Sequence, residues 1–358
     1  MRRTFKHILI AALYYSGLLA LYLFLFKPSV RKTPLILMFH QVFKNPEKEN
    51  ILIQDGLHVS QDTFDKQLSY LKKKYNVISL SQLVELLEKH QSLPKKTAVI
   101  TFDDGWRDNY QYAYPVLKKH NLPAIIFITT DFIESQKIFW FLEAALLHQK
   151  GRLSEGQFYK IFEDLPTTKE NLPETSSFNR KNIKFLYHNT ESFLEFLKQF
   201  DSSMISSILD RMSELSGFRL LDRLTERWML NWDEIKAMTD LVEIGSHGCS
   251  HRIMTRLRPE EIMKELTASK KIIEEKTGQP VSLFAYPNGD YSAEIEKMVC
   301  QAGYRAAIAT SQGPSSPDGY ELFAIKRLGV HEGMAAGIGG CFSRALFYFA
   351  INRRKNIL

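Results

Sequence analysis

Cysteine is scarce in this chain: three residues among 358, Cys249, Cys300 and Cys341, odd in number and far apart. No disulfide framework and no Cys-x-x-Cys metal site can be built from them, so they read as structural thiols. Internal repeats and low-complexity segments are also missing, which excludes a solenoid or a long disordered tail. The net charge is +7, yet lysine and arginine are scattered and no basic stripe is interleaved with stacking aromatics. A nucleic-acid partner is therefore not expected. An anionic membrane surface or cell-envelope polymer accounts better for the charge.

What is present is a folded composition, 44% hydrophobic and 24% charged, long enough for one large α/β domain with attachments. Ile8 to Phe26 is one uncharged apolar run behind Arg2, Arg3 and Lys6. Its length suits a membrane-spanning helix, and no small-x-small cleavage site follows it. We expect residues 1–33 to be an uncleaved anchor and tether. The N-terminus would lie inside and the rest outside, although Lys27, Arg31 and Lys32 nearly balance the charges on the near side.

The chain is organised around Thr101-Phe102-Asp103-Asp104-Gly105-Trp106. Ala98 to Phe102 is β-branched and aromatic and predicts a buried strand. Asp-Gly turns the backbone at once, leaving two acids at the strand's carboxyl end, where α/β folds place their chemistry. Asp108 opens a predicted helix to about His120, with Gln111 as capping partner. Leu35 to Phe39 is another short strand and delivers His40 into a loop. Strands and helices alternate from Pro34 onward, which predicts a mainly parallel sheet wrapped by helices.

From 139 to 230 the rhythm breaks into helical apolar spacing with a polar loop around Pro166 and Pro173, a helical insertion. It returns with the strand Leu241 to Ile244, followed by Ser246-His247-Gly248-Cys249-Ser250-His251, two imidazoles four apart directly after a strand. A third strand, Val281 to Ala285, ends in Tyr286-Pro287-Asn288-Gly289, a tight turn. Strands are expected at 305–310 and 323–330, the last delivering His331, and residues 333–358 read as an amphipathic or packing helix. One carboxylate and two histidines make a 2-His-1-carboxylate site for Zn²⁺ or a similar divalent ion. The adjacent acid can act as a base, and the chemistry implied is metal-assisted hydrolysis.

Taken in order, the Thr101-to-Gly105, Ser246-to-His251 and Phe284-to-Gly289 motifs resemble the signatures of the polysaccharide deacetylase superfamily. The opening Leu35-to-His40 resembles its membrane-tethered or secreted exopolysaccharide branch. The resemblance runs from Pro34 to His331 apart from the insertion, and it implies a distorted (β/α) barrel spanning 34–332. It implies an enzyme that removes acetyl groups from N-acetylated sugar polymers, a water held by the ion attacking the acetamide carbonyl. Asp103 would be the general base; Asp104, His247 and His251 would be the metal ligands. A backbone N–H near Tyr286, Pro287 or Asn288 would hold the oxyanion. His331, one residue out of the family's Leu-x-His spacing, would be the general acid, with His40 its rival. Ala285 stands where many relatives carry an arginine that holds the base, so that task falls to Arg107 or Arg327. Trp106, Tyr286 and Trp140 are candidate sugar platforms. Exopolysaccharide synthesis or export proteins would be partners. A deacylase for a small or lipid-linked substrate, or a non-catalytic tethered glycan binder, are the alternatives.

Overall fold

The computed structural model describes residues 2–27, 33–44, 56–163, 180–219, 226–310 and 322–353. The chain divides into two compact units, one made of residues 1–135 and 228–358, the other of 136–227.

In the first unit, continuous apolar runs form parallel strands buried on both faces, as sheets covered by helices require. These are β1 (Leu35–Phe39), β5 (Thr97–Phe102), β6 (Ala124–Ile128), β7 (Val242–Ser246), β8 (Leu283–Ala285) and β9 (Ala306–Ala309). Shorter pieces are β2 (Gln41–Phe43), β3 (His58–Ser60) and β4 (Asn76–Val77). The final stretch, expected as one strand over 323–330, is split by Arg327 into β10 (Ile325–Lys326) and β11 (Leu328–Gly329). β10 pairs with β9 and β11 pairs with β1, both in parallel, so this segment joins the two ends of the order β9-β8-β7-β6-β5-β1 into a ring.

Alternate residues sort the strands into two layers. Ile36, Val99, Ile125, Phe127, Leu283 and Ile308 cluster together and are plugged by Leu80, Leu83 and Val84 of the helix Leu80–Glu88. Their neighbours Leu37, Ile100, Ile126 and Phe284 pack instead with helical residues such as Leu68, Leu117 and Ile235. The first layer fills the barrel and the second glues helices to its outside. At Gly245 a Cβ would stand 2.4 Å from the Phe127 ring, so glycine makes room for that filling.

Two local expectations are corrected. Asp108 does not cap a helix with Gln111; its Oδ1 accepts the Val42 N–H at 3.0 Å, and Asn109–Ala113 is a π turn running into Tyr114–His120. Pro115 has no N–H for the ordinary helical bond, which favours the wider turn. At the N-terminus the apolar run is not one helix: Arg2–Tyr15 and Leu18–Phe26 are separate, with an 80° bend between them. Gly17 at φ 79° takes the left-handed conformation that ends helices. At 1.5 Å per residue the two pieces reach about 21 and 14 Å, against the ~30 Å of a bilayer core. Among the described residues no single helix is long and apolar enough to cross a membrane. Tyr14 packs on Tyr348 of the C-terminal helix Arg344–Asn352, ring centroids 5.1 Å apart. Arg31 and Lys32 lie outside the described residues.

The second unit is helical: Trp140–Lys150, Glu155–Glu163, Arg180–His188, Thr190–Leu197 and Ser202–Ser216 enclose their own core around Phe158, Phe193 and Ile208. The loop with Pro166 and Pro173 lies outside the described residues. Met229 and Leu230, placed in the insertion by sequence, belong to the barrel unit: Leu230 N–H donates to Gly105 O at 2.9 Å, and Met229 bridges to Trp106.

Candidate active site

Because the strands are parallel, their carboxyl ends share one rim, and every motif loop leaves from it. β5 continues one step into Asp103, whose N–H donates to Phe39 O at 3.1 Å. Asp104 at φ 76° and Gly105 at φ 89° then reverse the chain in the left-handed region. That pair sends the two carboxylates different ways. A side chain at Gly105 would meet Ile133 at 3.1 Å and Ile128 at 3.2 Å.

Asp103 is 1% exposed and clamped by Arg327, Nη1 to Oδ1 and Nη2 to Oδ2, each at 2.7 Å. Arg327 Nη1 also donates to Thr101 Oγ1 at 3.0 Å, and its guanidinium stacks over the Phe127 ring. Burial alone would raise the Asp103 pKa; the Arg327 guanidinium beside it outweighs that and holds the carboxyl below its usual range. Of the two arginines the sequence offered, Arg107 is committed elsewhere, to Glu234 at 3.1 Å.

Asp104 is equally buried, and its Oδ2 accepts the Trp106 indole N–H at 2.9 Å. Its Oδ1 accepts no hydrogen bond, while Nε2 of His251 and of His247 stand 3.3 and 3.7 Å away. His247 Nδ1 lies 2.8 Å from Ala285 O. A carbonyl only accepts, so the proton sits on Nδ1 and Nε2 presents a lone pair. Burial is the largest influence on His247 and lowers its pKa to about 4, which keeps the ring neutral. Ligand atoms of Asp104, His247 and His251 all lie within 4.8 Å of one another. A buried carboxylate oxygen without a hydrogen bond, faced by two imidazole nitrogens, is the donor set a divalent ion fits.

His40 follows β1 beside Asp103, and its backbone carbonyl accepts Asn109 Nδ2–H at 2.8 Å. A proton on His40 would lower the pKa of both Asp103 and Asp104. His331 follows β11 in the neighbouring stave, where Val330 N–H donates to Met38 O at 2.8 Å. Both are half-buried at the same rim.

The third motif is a 3-10 turn, Pro287–Gly289, with Asn288 at φ 61°. Tyr286 N–H donates to Ile308 O, Pro287 has none, and Gly289 N–H donates to Tyr286 O. Asn288 therefore offers the remaining amide of this turn. Two of the aromatic platforms are corrected. Tyr286 is wholly buried, its hydroxyl donating to Phe323 O at 2.9 Å, and Trp106 is 3% exposed and occupied with Asp104. Trp140 is half-buried within the 136–227 unit. Asn109 was not found by sequence reasoning, since only the meeting of loops from β1 and β5 reveals its contact with His40.

Comparison with known proteins adds to this geometry. The polysaccharide deacetylase family matches residues 90–307, more than half of the chain. The Bacillus subtilis protein YxkH is 22% identical over 312 residues, 87% of this chain and 76% of YxkH. The poly-β-1,6-N-acetyl-D-glucosamine N-deacetylase of Staphylococcus epidermidis is 28% identical over 141 residues, 37% of this chain and 45% of that enzyme. The Streptococcus pyogenes deacetylase PplD, solved with acetate, superposes with a TM-score of 0.54 at 18% identity, covering 85% of this chain and 95% of that one, a likeness of fold. The ring of parallel strands, the acids and histidines gathered on its rim and the family match over the same loops agree: this chain belongs to the polysaccharide deacetylase family, whose members are amide-cleaving deacetylases.

Proposed function

We propose that the protein removes acetyl groups from an N-acetylglucosamine-type exopolysaccharide or cell-envelope glycan, with a divalent ion, zinc first, held by Asp104, His247 and His251. The observation that carries this is the division of labour between two adjacent acids: Asp103 clamped by Arg327, Asp104 left with one oxygen toward two Nε2 atoms. The similarity to an enzyme named for poly-β-1,6-N-acetylglucosamine supports the substrate class. When bound, such an ion supplies Lewis acidity toward the acetamide carbonyl and the attacking water.

The chain's own residues do the rest. Asp103, kept ionised by Arg327, takes the proton of the attacking water. The Asn288 N–H steadies the negative oxygen that develops on the carbonyl. His40, which follows β1 beside Asp103, delivers a proton to the departing amine, with His331 beside it on the rim. The N-terminal helix pair exposes Phe5, Leu9, Leu18, Leu21, Leu25 and Phe26; this apolar surface, with the net positive charge, supports attachment to a membrane, and a glycan substrate outside the cell would require the barrel on that side.

The test is acetate release from β-1,6-linked N-acetylglucosamine oligomers by the zinc-loaded chain. Release by wild type and none by Asp103→Asn is expected. An Asp103→Asn variant as active as wild type would remove Asp103 from the role of base.

A further inference from the structure

The loop that carries the two histidines is held in an unfavourable backbone shape. His251 sits at φ 57°, in the left-handed region that residues other than glycine rarely adopt. Such a residue persists where its surroundings over-determine it. Here they come mainly from one helix, Pro259–Thr277. Glu265, 7% exposed, reaches into the loop: Oε2 accepts the N–H of Cys249 at 2.6 Å and of Ser250 at 3.0 Å, and Oε1 accepts the Ser250 hydroxyl at 2.5 Å. One turn earlier, Glu261 accepts Arg252 Nη2–H at 2.8 Å. This i, i+4 pair of carboxylates therefore grips the chain on both sides of His251. From the other side, Thr130 N–H donates to Gly248 O at 3.2 Å and Asp131 N–H to Cys249 O at 2.9 Å. A Cβ on Gly248 would stand 3.1 Å from Glu265 Oε2, so the glycine leaves the carboxylate its place.

We propose that Glu265 is a positioning residue of the active site, fixing the backbone at 249–250 so that both imidazole Nε2 atoms remain turned toward Asp104. The proposal rests on the metal reading of Asp104, His247 and His251. Glu265 touches neither the reacting atoms nor the ligand atoms; it acts through the loop. What the loop needs is an acceptor at that point. Glutamine can serve, its amide oxygen accepting the two N–H groups while its NH₂ donates to Ser250 Oγ. Aspartate is one methylene short, and leucine offers no acceptor.

The experiment uses the full chain stripped of metal and titrated with Co²⁺, following the visible d–d band, with affinity from competition against a chelator. Glu265→Gln is expected within about threefold of wild type, while Glu265→Asp and Glu265→Leu lose 10- to 100-fold in cobalt affinity with a shifted band, the loss typical of outer-shell partners. Metal-free melting of Glu265→Asp should stay close to wild type, which separates positioning from folding. Wild-type affinity and band in Glu265→Asp overturn the proposal, even where Glu265→Leu fails to fold. A glutamine variant as weak as leucine overturns it too, since charge and not hydrogen bonding would then be what matters. A wild-type chain that takes up no cobalt defeats the metal reading itself and this proposal with it.

Discussion

Arg327 and Asp103, 224 positions apart in the chain, meet in a two-point clamp, Nη1 on Oδ1 and Nη2 on Oδ2 at 2.7 Å each. The guanidinium arrives from the single residue between β10 and β11, where the barrel closes. It holds the acid from that stave, while Ala285, at the end of β8, offers no cation.

Replacing Arg327 by glutamine leaves the buried Asp103 carboxylate without its cation. Breaking such a pair typically costs about 3–5 kcal/mol, so melting should fall by many degrees. Arg327 holds the Asp103 pKa down against burial; without it the pKa rises, and the acid limb of kcat/KM moves to higher pH. The sign for stability follows. A carboxyl with a depressed native pKa stabilises the fold above its unfolded value near 3.9, and that contribution is lost as pH falls through the native value. Arg327→Gln should therefore flatten the loss of stability below about pH 4. An unchanged pH–rate profile would mean that Asp103 is not the base.

Trp106→Phe keeps the buried ring and removes the N–H that Asp104 Oδ2 accepts. Metal affinity should drop by about 10- to 100-fold, while KM for glycan, compared at saturating metal, stays within about twofold. A KM effect without a metal effect would restore Trp106 as a sugar platform.

Gly289 is required by geometry. Its φ is 80°, and a Cβ there would lie 1.7 Å from Thr310 Oγ1 and 2.7 Å from Thr310 N. Gly289→Ala must displace the backbone of the third motif, with a stability loss of several kcal/mol, read as a lowered urea midpoint. An alanine variant with wild-type midpoint would contradict the turn as described.

His40 and His331 can be separated by pH profile. His40→Ala should lower kcat about 10²-fold or more and erase the basic limb, where a proton donor is lost. His331→Ala should keep that limb. The opposite result would assign the donor to His331.

Much of this was legible in sequence because strand-end motifs are local. Buried strands ending in Asp-Asp-Gly and in His-x-x-x-His put their side chains on one rim whenever the strands are parallel. What distant contacts decide was not legible. That Arg327 and not Arg107 holds Asp103 depends on which stave closes the ring, and that Trp106 serves Asp104 depends on a left-handed turn two residues before it. The Ile8-to-Phe26 run looked like one helix because hydropathy is continuous across Ser16-Gly17, whereas the backbone is not. Glu265 carries no motif; its role exists only once helix Pro259–Thr277 lies against the histidine loop.

The account is tested most directly by titrating the metal-free full chain with Zn²⁺ while following acetate release from N-acetylglucosamine oligomers. It predicts activity that rises with added zinc and levels at about one ion per chain, and no such rise for His247→Ala. Full activity in the metal-free chain, or saturation with zinc and no acetate released, would contradict it.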